Sequence, residues 1–180
     1  MTVPAPPPPA PAERVVIVGL GNPLLSDDAV GVRAAELLTE ALAGTGVDVL
    51  QSSWGGMRFI DLLAGYDLAI VVDAIEWGKG PPGTIYRLTT DEAIPTTRAV
   101  SYHDLSLGTA LAMGRVLDIP LPRETIFFAV EAMRTHEFGE HLTPPVEAAL
   151  PELVRRVEAQ LMQWKVVGDP TCTKQVSRST

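Results

Sequence analysis

The chain has one cysteine, Cys172, in 180 residues. That excludes an internal disulfide framework and any multi-cysteine metal site, and it favours a reducing compartment. Basic charge is also scarce: 14 Lys and Arg stand against 22 Asp and Glu, a net charge of −8. Such a body repels nucleic acid and anionic membrane surfaces, so the partner is expected to be a protein or a small molecule. No uninterrupted apolar run reaches the roughly 18 residues of a membrane span, and no basic segment followed by an apolar one opens the chain. A cytoplasmic location is the expectation. Several nucleotide and hydrolase signatures are missing as well. Gly19-Leu20-Gly21-Asn22 lacks the third glycine of a dinucleotide fingerprint, Leu24 standing in its place, and Gln51 rather than an acid follows the second strand. There is no Gly-Lys-Ser/Thr phosphate loop, and Ser106 has no Gly-x-Ser-x-Gly elbow around it. His136 and His141 lie near Glu137 and Glu140 without the His-Glu-x-x-His order, and read as a solvated loop.

What is present is enough for one well-buried domain, with 46% hydrophobic residues. Residues 1–12, almost all proline and alanine after Val3, predict a disordered leader. Residues 13–166 predict the folded domain, and 167–180 a flexible tail. Within the domain, strands are expected over Arg14 to Gly19, Val47 to Leu50, Leu68 to Val72 (ending in Asp73), Thr84 to Leu88 and Thr125 to Val130. Helices are expected over Ala29 to Ala43, Met57 to Leu63, Leu105 to Leu117 and Val146 to Trp164, the last kinked or restarted at Pro151. The alternation implies an α/β fold in three layers, a twisted, mainly parallel sheet flanked by helices on both faces.

In such sheets ligands bind beyond the carboxyl ends of the strands. Three polar residues meet that condition. Asp28 follows the first strand at the mouth of a helix, Asp73 ends the long apolar strand, and His103 lies in Ser101-Tyr102-His103-Asp104, where a capping box starts the next helix. Two carboxylates and an imidazole suit a transition metal with open positions, and they equally suit general acid and base chemistry. The plainer reading of Asp27 and Asp28 is a pair of acids favouring the positive end of a helix. Asp73 resists a plain reading, because an acid after five apolar strand residues is costly to bury unless paired or liganded. His103 taken alone would be a capping or surface histidine.

Four segments together resemble the hydrogenase maturation endopeptidases, which trim the C-terminal extension from the large subunit of NiFe hydrogenases. They are Gly19-Leu20-Gly21-Asn22-Pro23-Leu24-Leu25-Ser26-Asp27-Asp28-Ala29-Val30-Gly31-Val32, Val71-Val72-Asp73-Ala74, Ser101-Tyr102-His103-Asp104-Leu105-Ser106-Leu107 and Leu142-Thr143-Pro144-Pro145-Val146-Glu147. They occur in the family's order and spacing, across roughly residues 14–160. The resemblance implies a phosphorylase/hydrolase-like fold and a protease of aspartic or metal-dependent type. It also implies nickel carried by the precursor, contacted by Asp28, Asp73 and His103. Asp28, on a loop taken as mobile, is expected to activate water, and Asp73 to position the metal. The chain departs from the family at Gln51-Ser52-Ser53-Trp54, where Asp-Gly-Gly-Thr is common, which bears on the precursor recognised. Two alternatives stand beside this reading. One is a nickel-binding maturation chaperone without protease activity. The other is a peptidyl-tRNA hydrolase-like esterase, which shares the Gly-Leu-Gly-Asn-Pro opening but requires a histidine tract and basic surface absent here.

Overall fold

The computed structural model describes residues 13–53, 58–93 and 107–167. The expectations for the leader, for most of the tail, for the capping box and for His103 fall outside these residues. Among the described residues, five strands form one sheet in the order β2-β1-β3-β5-β4. They are β1 (Val15–Leu20), β2 (Asp48–Ser52), β3 (Leu68–Ile75), β4 (Ile85–Thr89) and β5 (Glu124–Glu131). The helices are α1 (Val30–Ala41), α2 (Arg58–Leu63), α3 (Thr90–Ala93), α4 (Leu107–Val116) and α5 (Pro144–Gln163). The pairs β1–β2, β1–β3 and β3–β5 are parallel, whereas β4 runs antiparallel along β5 at the edge.

The layering follows from the period-two alternation of apolar strand residues. Ile17, Ile70, Val72, Ile126 and Phe128 point to one face and pack against α1 (Val30, Ala34, Leu38) and α5 (Val146, Leu153, Val157, Leu161). Val16, Val18, Ala69, Val71 and Phe127 point to the other, against α2 (Phe59, Ile60, Leu63) and Leu111 of α4. Both faces of the central strands are therefore covered, and β1 is buried along its whole length. The expected three-layer α/β architecture is the one observed.

Two local expectations change. The run Leu68–Val72 does not stop at Asp73: β3 continues to Ile75, and Asp73 pairs with Ala129 inside the ladder. Strand β5 extends equally far and supplies partners for the extra residues. Of the kink or restart expected at Pro151, the restart is absent: the last helix is continuous from Pro144 to Gln163. Pro151 lies on the exposed side, while Val146, Ala149, Leu153, Val157 and Leu161 bury the opposite stripe.

Candidate active site

The chain moves from β1 outward to β2 and then back to β3 on the other side of β1, so the topology reverses between β1 and β3. Crevices at such switch points are where ligands of open α/β sheets bind. The last paired positions of β1 and β3 are Gly19 and Val72, and Asp73 continues the strand just beyond them. The loop leaving β1 carries Asp28 in a 3-10 turn, Ser26–Ala29, that leads directly into α1. Glycine brings the two together. A Cβ on Gly31 would run into the backbone carbonyl oxygens of Leu20 and Val72, so only glycine lets the first turn of α1 sit on the ends of both strands. Gly21, at φ +133°, likewise lies against the Asp28 carbonyl, where any side chain would collide.

The two carboxylates are consequently close enough for their charges to interact. The Asn22 N–H donates to Asp28 Oδ2 at 2.6 Å, and the Ala74 N–H to Asp73 Oδ1 at 2.9 Å. Burial first, and then the charge of Asp28, push the Asp73 carboxyl up from 3.8 to about 7, against the opposing pull of the Ala74 N–H. A half-buried acid whose proton affinity is raised beside a second carboxylate is the pattern of a working site. Replacing Asp28 by Asn removes the like charge but not the burial. The Asp73 midpoint should therefore fall below 7 and stay above 3.8 in a carboxyl NMR titration; an unmoved midpoint would mean that the two groups do not interact.

Asp27 serves a different purpose from its neighbour, and its role is not apparent in the sequence. It is fully buried and is not one of a pair of exposed helix-start acids. Its Oδ1 accepts the Thr143 N–H at 2.6 Å; its Oδ2 accepts the Thr143 hydroxyl at 2.9 Å and the N–H groups of Met133 and Arg134 at 3.0 and 3.2 Å. Its own N–H donates to the Arg134 carbonyl at 3.1 Å. Thr143, at the N-cap position of α5, thus turns its hydroxyl to Asp27 and makes no side-chain cap to its own helix. Further bonds join the same two loops: Ser26 N–H to Gly139 O, Gly139 N–H to Leu24 O and Ser26 Oγ to His141 O. The loop that carries Asp28 is thereby pinned to the β5–α5 loop, so mobility gives no ground for choosing Asp28 as the base.

The structure brings Asp28 and Asp73 together, while His103 lies outside the described residues. Among the described residues no three His, Cys, Asp or Glu side chains are grouped to hold a metal ion. His136 and His141 are exposed on the β5–α5 loop, as expected. No helix among the described residues is long and apolar enough to cross a membrane.

Most of the chain is similar to known proteins. The family model described as hydrogenase maturation protease matches residues 32–160. The hydrogenase 2 maturation protease of Escherichia coli is 33% identical over 161 residues, 87% of this chain and 96% of that protein. The solved structure of the hydrogenase-maturating endopeptidase HybD from E. coli superposes with a TM-score of 0.75 at 32% identity, covering 84% of this chain and 93% of that one. The NiFe hydrogenase maturation protease HybD from Thermococcus kodakarensis gives 0.65 at 26% identity, covering 82% and 98%. A paired carboxylate site at the switch point of a three-layer sheet, and a match of this extent to proteases named for one task, lead to a single assignment: the chain belongs to the hydrogenase maturation proteases.

Proposed function

We propose that this protein removes the C-terminal extension of a NiFe hydrogenase large-subunit precursor once nickel is in place, with Asp28, Asp73 and His103 contacting the nickel that the substrate carries. The observation that carries this reading is the convergence of Asp28 and Asp73 at the switch point of a chain in this family. Two carboxylates held together raise each other's cost of ionisation, and an incoming divalent cation offsets that repulsion. The site is therefore built to prefer a precursor that brings a cation over one that does not. Each 1.4 kcal/mol or so of such preference is about tenfold in discrimination.

Peptide hydrolysis further requires a base for water and an electrophile for the developing oxyanion. Asp73, held in the β3 ladder opposite Ala129, is assigned the first task. Asp28, steadied by the Asn22 N–H, is assigned to holding the nickel. The metal, or His103 as its cation, supplies the positive charge. No metal resident in the protease is needed, and the site's partner is the precursor protein. Proteolysis would take place in the cytoplasm.

His103→Ala tests the recognition step. The variant should lose rate on nickel-loaded precursor, by about tenfold or more if one ligand contact is removed, and lose little on any residual cleavage of nickel-free precursor. Equal losses on both would remove His103 from nickel recognition.

A further inference from the structure

The two loops clamped by Asp27 expose more apolar surface than the rest of the fold explains. Phe138 is 90% exposed, Leu24 55% and Met133 54%. Among the described residues the other large exposed apolar side chains are Leu37 on α1 and a group at the end of α4, namely Met113, Val116 and Leu117. Single exposed hydrophobes are ordinary, but a cluster held on a rigid frame at the edge of an active site marks a surface that another molecule covers. This frame is rigid. Leu25 and Gly139 form a parallel bridge, Gly139 N–H donates to Leu24 O, and the Met133 N–H is fastened to Asp27 Oδ2. Between the loops and the start of α5 lies a cavity of about 330 Å³, lined by apolar residues such as Met133 and Leu142 and equally by polar ones, Arg134 and His141 among them.

The frame is also tied to the carboxylates. The Leu24 N–H donates to Asn22 Oδ1 at 3.0 Å, and the Asn22 N–H holds Asp28 Oδ2. Two trans peptide steps separate the Cα atoms of these residues, so Leu24 lies within about 8 Å of the residue that positions Asp28. An extended polypeptide spans that distance in two to three residues. Leu24 is thus within reach of a chain whose scissile bond lies at Asp28, and Gly139, next to Phe138, is hydrogen-bonded to Leu24.

We infer that Leu24, Phe138 and Met133 form the docking surface for the precursor polypeptide, taking apolar side chains near the bond that is cut. This rests on the protease reading above. The occupant is the precursor because the surface is continuous with the loop that carries Asp28. The side chains it takes are apolar because the exposed contacts are aromatic, thioether and aliphatic.

The test compares wild type, Phe138→Ser, Leu24→Ser and Val116→Ser in full-length protein, with steady-state cleavage of nickel-loaded precursor and size-exclusion chromatography of each. Val116, 84% exposed at the far end of α4, controls for loss of an exposed hydrophobe away from the loops. These positions are exposed, so the fold should tolerate the changes. Binding lost without change to the chemistry raises KM alone. Phe138→Ser and Leu24→Ser should each raise KM about tenfold with kcat within twofold, and Val116→Ser should match wild type. If wild type cleaves and both loop variants keep its KM, the docking surface is wrong and the protease stands. If Phe138→Ser instead converts an oligomer to a monomer with KM unchanged, the face belongs to a second copy and the inference is overturned. If wild type cleaves no loaded precursor, the protease reading fails and the docking surface falls with it.

Discussion

Asp73→Asn should lower processing of nickel-loaded precursor by about 10²–10⁴-fold, the usual contribution of a positioned general base, and at the same time make the metal-free protein more stable above pH 7. The second effect follows from the surroundings of the carboxyl in the metal-free fold. In the fold, burial and the Asp28 charge raise the Asp73 carboxyl to about 7. A carboxyl raised on folding is no burden while protonated in both states, below its ordinary 3.8. As pH rises from there the unfolded chain ionises first, and stability falls until the folded-state midpoint near 7 has been passed. The full cost above that point is of order 2–4 kcal/mol. Asparagine keeps an oxygen for the Ala74 N–H and cannot ionise, so its unfolding free energy should lack this slope. Urea unfolding of both proteins at pH 4 and pH 8, without metal, measures the difference. A variant that is inactive and also less stable at pH 8 would mean that residue 73 is structural.

Asp27→Ala should cost about 3–5 kcal/mol of folding stability, among the largest single-residue losses this chain can suffer. The carboxylate accepts three backbone N–H groups and one hydroxyl in a buried position. Alanine leaves all four donors without that acceptor. Asp27→Asn keeps one oxygen but presents an NH₂ group to other donors, and should lose roughly half as much. The midpoint of urea unfolding reads both, provided the slope is unchanged. A loss under about 1 kcal/mol for the alanine variant would show that the two loops hold together without the clamp.

How much of this is legible in the sequence differs from element to element. The strands β1, β3 and β5 are apolar runs of a kind that only a sheet covered on both faces explains, and the topology follows from their alternation with helices. Asp28 and Asp73 could be singled out because both follow such runs. Asp27 could not, since Asp27-Asp28 before an amphipathic stretch reads as two helix-start acids. Its burial depends on Thr143 and the Met133–Arg134 backbone, more than 100 residues away. The continuation of β3 past Asp73 depends on β5 reaching as far as Glu131, again a tertiary matter. Pro151 is misleading for the opposite reason: a local breaker is overridden by the stripe that α5 buries. The antiparallel course of β4 is set by the short Gly78–Gly83 connection and its pairing to β5, neither of which periodicity reveals.

The most direct measurement is intact mass of a hydrogenase large-subunit precursor after incubation with this protein, with nickel-loaded and nickel-free samples run in parallel. Loss of a C-terminal peptide from the loaded precursor alone is the predicted result. Neither form shortened, with tight nickel binding by the protein itself, would contradict it and leave a nickel-binding chaperone.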